Sequence, residues 1–103
     1  LRHDYAKTGL PISTVIFSDQ EAWPHEWYID ALAVDPDHWG EKIASHLLDE
    51  AEKVAAKQGY HILSLNVDQE NPRAQRLYEH KGYQTEKTMT IGDRTYDHMI
   101  KRI

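Results

Sequence analysis

The feature that most constrains the fold is an apolar strand, a long amphipathic helix and a second apolar strand in direct succession. The segment Trp27 to Val34 reads as the first strand, and Asp35-Pro36 ends it. From about Gly40 to Gln58 the apolar spacing is helical, and Tyr60 to Val67 reads as the second strand. Two strands joined through a helix lie side by side in parallel with a right-handed crossover. The succession therefore predicts a parallel strand pair packed against a helix.

The remaining segments predict a small sheet around this pair. Ile12 to Phe17 reads as a strand, and Asn71-Pro72 supplies an N-cap and a first helical residue for a helix through about Lys81. Tyr83 to Ile91 and Arg94 to Ile103 read as two strands joined by a turn at Gly92-Asp93. With 103 residues and no linker or repeat, we predict one mixed α/β domain over residues 1–103.

Composition excludes several kinds of chemistry. Cysteine is absent, which excludes disulfides, thiolate metal sites and a cysteine nucleophile, and suits a cytoplasmic protein. The seven histidines show no i, i+4 pair or other metal-ligand spacing, so we predict no metal site. The apolar runs are far shorter than the roughly 20 residues that span a bilayer, so we predict no membrane partner.

Charge is distributed unevenly along the chain. The net charge is −5, and from Thr8 to Glu41 there are seven acidic residues but no lysine or arginine. Nucleic acid is not an expected partner, because a duplex needs a basic stripe to neutralise its phosphates. A cationic small molecule or peptide fits this acidic stretch better. The alternative is that these residues are simply solvated loop charges.

Two stretches carry a specific resemblance. The first is LAVDPDHWGEKIASHLL, from Leu32 to Leu48, and the second is LNV followed by NPRAQRLYEHKGY, which ends at Tyr83. Together they resemble the GNAT superfamily of acyl-CoA-dependent N-acetyltransferases, over the range from Tyr28 to Ile103. The resemblance implies a mostly antiparallel sheet with a central parallel strand pair joined by a long helix. It also implies acetyl-CoA as co-substrate and the amine of a small molecule or peptide as acceptor.

The junction between the first strand and the long helix suits an anion. A helix N-terminus exposes unpaired N–H groups and carries about half a positive charge from the macrodipole, so a diphosphate is stabilised there. In the family this anion belongs to coenzyme A. The resemblance implies that a strand edge pairs with the pantetheine amides and that the next loop and helix turn hold the diphosphate. The residues in the first role are Leu32, Ala33 and Val34, and those in the second are Gly40, Glu41, Lys42, Ile43, Ala44 and Ser45.

The diphosphate loop departs from the family pattern, Gln/Arg-x-x-Gly-x-Gly/Ala. Its leading position falls on Trp39, its middle glycine on Lys42 and its last position on Ala44, and only Ala44 fits. A lysine side chain could obstruct the approach of phosphate to the backbone, although it also brings a cation to a polyanion. The alternative function is therefore a non-catalytic GNAT-fold binding or regulatory module with a degenerate cofactor loop.

The resemblance also assigns chemistry to individual residues. Tyr78 stands where the family has a tyrosine that protonates the departing thiolate of coenzyme A, although a core aromatic is the alternative. Asn71 resembles the family's cofactor-contacting asparagine and is equally a helix cap. Direct attack needs a neutral amine, so a base must remove a proton, and Asp30 and Glu26 are the candidates.

The N-terminal region is short by comparison with the family. Members usually carry one more strand and two helices before the strand predicted at Ile12 to Phe17, whereas about 27 residues precede the resemblance here. Three alternatives stay open: a compact member, a fragment, or a chain whose site a partner completes. A homodimer is among these expectations, because an unpaired sheet edge invites pairing with a second copy.

Overall fold

The computed structural model describes residues 25–103, so the strand predicted at Ile12 to Phe17 lies outside the described residues. These residues form a four-stranded mixed sheet in the order β1-β2-β4-β3, with the helices packed against it. This confirms the mixed α/β fold class. The elements are β1 (Trp27–Ile29), α1 (Pro36–Trp39), α2 (Glu41–Lys57), β2 (Ile62–Asp68), α3 (Pro72–His80), β3 (Gln84–Ile91) and β4 (Arg94–Arg102).

The predicted parallel pair is present. Strands β1 and β2 run parallel, in the register Trp27 to Leu63 and Ile29 to Leu65, and α2 connects them. Strand β4 adds antiparallel to β2, and β3 pairs antiparallel with β4 at the far side. Within residues 25–103, the parallel pair therefore stands at one end of the sheet.

The two faces of the sheet differ in chemistry because side chains alternate along each strand. One face is apolar and packs on the helices. The opposite face is polar around the middle of the sheet, where Asn66 of β2 lies directly opposite His98 of β4 and Asp68 lies opposite Tyr96. The apolar face and the helices that cover it share a core that contains Trp27, Ile29, Leu63, Leu65, Val67, Met99, Leu47, Ala51, Ala55, Ala74 and Tyr78.

Helix α2 begins and ends close to the predicted residues. Gly40 at its N-terminus and Gly59, just past its C-terminus, both have φ 85°. Residues other than glycine rarely adopt this backbone conformation. The predicted apolar stripe faces the core, with Ile43 and Val54 partly buried at its edge. Helix α3 begins as predicted, since the Asn71 side chain accepts a hydrogen bond from Ala74 N at 3.2 Å.

One predicted element is wrong in its second half. The strand predicted from Trp27 to Val34 ends at Ile29, and a 3-10 helix occupies Ala31–Val34. The Asp30 side chain accepts from Leu32 N at 3.0 Å and its carbonyl accepts from Ala33 N at 3.0 Å, which closes the turn. Local capping by an aspartate thus outweighs the strand preference of this apolar run.

Within residues 25–103, no helix is both long enough and apolar enough to cross a bilayer.

Candidate functional site

A slot opens where the two parallel strands part. After Ile29 the chain turns into the 3-10 helix, whereas β2 continues to Asp68, so the strands pair over only three residues. The space between them and the N-terminal end of α3 is a cavity of about 350 Å³. Its lining residues are Tyr28, Asp30, Ala31, Leu32, Asp35, Asn66, Val67, Asp68, Asn71, Ala74, Tyr78, Ile91 and Tyr96.

Tyr78 reaches this slot from the buried face of α3. Its side chain is only 1% exposed and contacts the ring of Tyr83 edge to face, with centroids 6.3 Å apart. Burial, followed by the negative charges of Asp35 and Asp30, raises the pKa of Tyr78 above the usual value for a phenol. The phenol therefore keeps its proton at neutral pH.

The slot is acidic, and its carboxylates are held in place. The Asp35 side chain caps α1 by accepting from Asp37 N at 2.9 Å, and Asp30 caps the 3-10 helix. A hydrogen bond from Glu70 N, together with the guanidinium of Arg94 at 2.6 Å, lowers the pKa of Asp68 below its usual range. Since the lining residues include no lysine, arginine or histidine, the slot carries a net negative charge.

Asn71 caps α3 through Ala74 N, which confirms the predicted helix cap, and it also lines the slot. Its contact with the cofactor stays a prediction. Capping uses its side-chain oxygen. Its position at the mouth of the slot is therefore fixed by the helix that it begins.

The N-terminus of α2 has no side-chain cap. The 3-10 helix, α1 and α3 are each capped by an aspartate or asparagine side chain, whereas Gly40 offers no side chain to cap α2. The Gly40 carbonyl accepts from Ala44 N at 3.0 Å, and its N–H donates back to the Pro36 carbonyl at 2.8 Å. The amides of Glu41, Lys42 and Ile43 have no recorded partner within residues 25–103. A 17-residue helix thus presents free N–H donors at its positive end, as the predicted diphosphate site requires.

Charged side chains near the N-terminus of α2 pair with one another. Arg73 of α3 pairs with Glu41 at 3.0 Å and with Asp37 at 3.0 Å, and these hydrogen bonds raise the pKa of Arg73. Lys42 is exposed. Because Arg73 offsets both carboxylates, they contribute less repulsion to an anion at this end of α2.

The prediction that Leu32, Ala33 and Val34 offer a strand edge to pantetheine is wrong. Two of their amides bond Asp30, and the Ala33 carbonyl accepts from Trp39 Nε1 at 2.8 Å. The backbone is coiled and these groups are already used. Leu32 nevertheless lines the slot, with 78% of its side chain exposed, so these residues border the slot without forming a ladder.

The candidate bases lie in different places. Asp30 lines the slot, whereas Glu26 does not and instead lies 2.8 Å from the buried His98 ring. Tyr28 and Asn66 in the slot, and His98 next to Asn66, are not among the site residues predicted from the sequence. A signal existed for Asn66, which is a polar residue in the mainly apolar strand β2, but its pairing with His98 depends on a register that one sequence does not display.

The buried carboxylate of Asp97 on β4 links α3 to the sheet. The Asp97 carboxylate accepts from Gln69 at 2.9 Å, from Gln75 at 2.5 Å and from Thr88 at 3.0 Å. Burial acts to raise the pKa of Asp97, but these hydrogen bonds together lower it below the usual value. Because Gln75 belongs to α3, this cluster helps to fix the helix that carries Tyr78.

Comparison with known proteins places the chain in a family. The model of the Acetyltransferase (GNAT) family matches residues 4–83, which is most of the chain. The chain therefore belongs to the GNAT acetyltransferase family. The resemblance found in the sequence is confirmed, and the fold agrees with it.

Solved structures of acetyltransferases share this fold. One, described as an acetyltransferase, has 37% identity over 99% of this chain and 54% of its own, with a TM-score of 0.65. The NatC complex bound to Gag peptide and CoA has 26% identity over 76% of this chain and 51% of its own, with a TM-score of 0.65. The spermidine/spermine N-acetyltransferase of Vibrio cholerae has 27% identity over 66% of this chain and 45% of its own, with a TM-score of 0.55. The chain thus spans about half the length of these relatives.

Proposed function

We propose that this protein transfers an acetyl group from acetyl-CoA to a cationic amine of a small molecule or peptide. The observation that carries the proposal is the pairing of an uncapped helix N-terminus at α2 with a slot that contains the Tyr78 phenol. Family membership supports acyl transfer, and one similar structure is described as bound to CoA. The donor and the acceptor class are our assignment.

Coenzyme A fits the residues present. The free amides of Glu41, Lys42 and Ile43 would hold its diphosphate, while the conformation of Gly40 opens the start of the helix. The pantetheine arm would enter between the parted strands, next to Asp30 and Asn71. When bound, the thioester supplies the acyl carbon and a thiolate leaving group.

The reaction is a direct displacement at the thioester carbonyl. The amine nitrogen forms a bond to the carbonyl carbon, the C–S bond breaks and the sulfur leaves with the electron pair. Tyr78 donates its hydrogen bond or proton to that sulfur. Because its pKa is raised, complete proton transfer is less favourable than for an ordinary phenol, so hydrogen-bond donation in the transition state is the larger part of its role.

The amine must lose a proton before or during attack, since an alkyl ammonium has a pKa near 10.4. Asp30 is the candidate base because its carboxylate lines the slot close to Tyr78. The same negative charge favours a cationic acceptor over an anionic one. Among the similar proteins, one is named for spermidine and spermine and another is bound to a peptide, which agrees with this acceptor class.

The test is an acetyl-transfer assay that detects released thiol. We expect thiol release from acetyl-CoA with diamines, polyamines or lysine-containing peptides, and little with amines that also carry a carboxylate. Acetyl-CoA at about 100 times its dissociation constant should also stabilise the fold by about 2.7 kcal/mol. No thiol release with any amine, together with an unchanged melting temperature, would favour the non-catalytic module instead.

A further inference from the structure

One buried carboxylate stands on the apolar face of the sheet. Asp97 of β4 lies directly opposite Val67 of β2, a core residue, and only 6% of Asp97 is exposed. No lysine or arginine within residues 25–103 pairs with it. Because the burial of a charge is costly, a carboxylate at this position has to be compensated by hydrogen bonds.

Three neutral donors supply those hydrogen bonds, and each belongs to a different segment. Asp97 Oδ1 accepts from Gln69 in the loop before α3 and from Thr88 of β3, and Oδ2 accepts from Gln75 of α3. We call these four residues the Asp97 cluster. The Gln69 N–H also donates to the Thr95 carbonyl on β4 at 2.9 Å. Helix α3 is therefore tied to the β3–β4 hairpin through Gln75 and through the loop that precedes the helix.

The slot is lined by both of the parts that the Asp97 cluster joins. Ala74 and Tyr78 line it from α3, whereas Ile91 and Tyr96 line it from the β3–β4 hairpin. Tyr96 is the residue directly before Asp97 on β4. The Asp97 cluster thus fixes the placement of α3 relative to the hairpin, and with it the shape of the slot.

The Tyr78 hydroxyl is not held in place by a hydrogen bond. It has no hydrogen-bond partner among the residues that the structure describes, 25–103. Its position in the slot therefore depends on the packing of its ring and on the placement of α3. Gln75 precedes Tyr78 by three residues, and residues three apart are neighbours on a helix surface. A shift of α3 at Gln75 would therefore also move the Tyr78 hydroxyl.

We propose that Asp97 is a positioning residue that holds α3 so that the Tyr78 hydroxyl meets the leaving sulfur. This inference rests on the proposed function, in which Tyr78 assists the departure of the thiolate. Asp97 does not line the slot, so it acts on the reaction through Gln75 and the helix. The competing explanation is that Asp97 stabilises the fold in general and has no specific effect on Tyr78.

Exchanging the donor and the acceptor tests the contact between Asp97 and Gln75. Gln75→Glu places a second carboxylate against Asp97, and the repulsion should displace α3 and lower the turnover number at least about tenfold. Adding Asp97→Asn supplies an NH₂ group that donates to the new carboxylate, while its oxygen still accepts from Gln69 and Thr88. This double variant should return to within about threefold of the native turnover number.

The chain offers a matched control in Gln84→Glu. Gln84 is an exposed residue of β3, outside the Asp97 cluster and the slot, and the substitution is the same as at Gln75. The turnover number of Gln84→Glu should equal that of the native chain. If Gln75→Glu does not fold, Gln75→Ala removes the donor without adding a charge, and it should lower the turnover number in the same direction.

A double-mutant cycle with Tyr78→Phe separates positioning from general stabilisation. If the Asp97 cluster acts on the Tyr78 hydroxyl, the substitution at Gln75 should change the turnover number less than about twofold once that hydroxyl is absent. The dissociation constant for acetyl-CoA should stay within about threefold in both backgrounds, because the proposed diphosphate donors belong to α2. Equal losses of turnover in both backgrounds, or a folded double variant of Gln75→Glu and Asp97→Asn without recovery, would overturn the proposal.

A readout independent of activity separates this proposal from the proposed function. A crystal structure of the Gln75 variant should show α3 displaced from the β3–β4 hairpin, with α2 and β2 in their native positions. An undisplaced α3 contradicts the positioning role even in an active enzyme. If the native chain acetylates no amine, the proposed function fails, and the role of Asp97 in the reaction fails with it.

Discussion

Replacing Tyr78 with phenylalanine is expected to lower the turnover number at least about tenfold, towards the ~10²–10⁴ typical of a lost general acid. The substitution removes only the hydroxyl, and the ring packing with Tyr83 and the core remains. Steady-state kinetics with saturating acetyl-CoA would measure the effect. The melting temperature and the dissociation constant for acetyl-CoA should change little, because the hydroxyl acts on the sulfur only as the C–S bond breaks.

The chain offers a matched control in Tyr83→Phe. Tyr83 is buried like Tyr78, its pKa is raised mainly by burial, and its hydroxyl has no recorded hydrogen-bond partner within residues 25–103. Unlike Tyr78, it does not line the slot. The turnover number of this variant should stay close to that of the native chain. Equal turnover in the two variants would reduce Tyr78 to a packing residue.

Replacing Gly40 with alanine is expected to weaken acetyl-CoA binding at least about tenfold, equivalent to about 1.4 kcal/mol. Gly40 has φ 85° and ψ 158°, a conformation that is essentially restricted to glycine and costs an L-residue about 1–3 kcal/mol. The strain would be relieved by moving the first turn of α2, which carries the free amides. Isothermal titration with acetyl-CoA would measure the loss of affinity.

Gly59→Ala is the matched control for this variant. Gly59 also has φ 85°, and at both positions an added Cβ would meet no atom within 4 Å, so neither substitution creates a clash. Gly59 lies at the opposite end of α2. We expect Gly59→Ala to lower the melting temperature and to keep the affinity for acetyl-CoA. A comparable loss of affinity in both variants would mean that general destabilisation, and not the α2 N-terminus, controls binding.

The features that depend on local sequence could be predicted. Helix α2, its terminal glycine at Gly59 and the Asn71 cap follow from spacing and capping preferences within a few residues, and they are confirmed. The strand through Val34 was wrong for a local reason, because the Asp30 side chain captures Leu32 N and begins a 3-10 turn. The apolar content of the segment does not indicate that this hydrogen bond forms.

The features that depend on strand register could not be predicted. His98 meets Asn66, 32 residues earlier, and Glu26, 72 residues earlier, only because β4 pairs with β2 and β2 with β1. Each of these residues, taken alone, is an ordinary polar residue in the sequence. The slot has a local origin instead, since it exists because Asp30 begins the 3-10 turn that ends β1 while β2 continues.

A crystal structure of the chain with acetyl-CoA tests the central claim most directly. The account predicts diphosphate oxygens within hydrogen-bond distance of the Glu41, Lys42 and Ile43 amides, with the thioester sulfur next to the Tyr78 hydroxyl. A diphosphate bound elsewhere, or the Lys42 side chain folded over the start of α2 with the slot closed to the pantetheine arm, would contradict it.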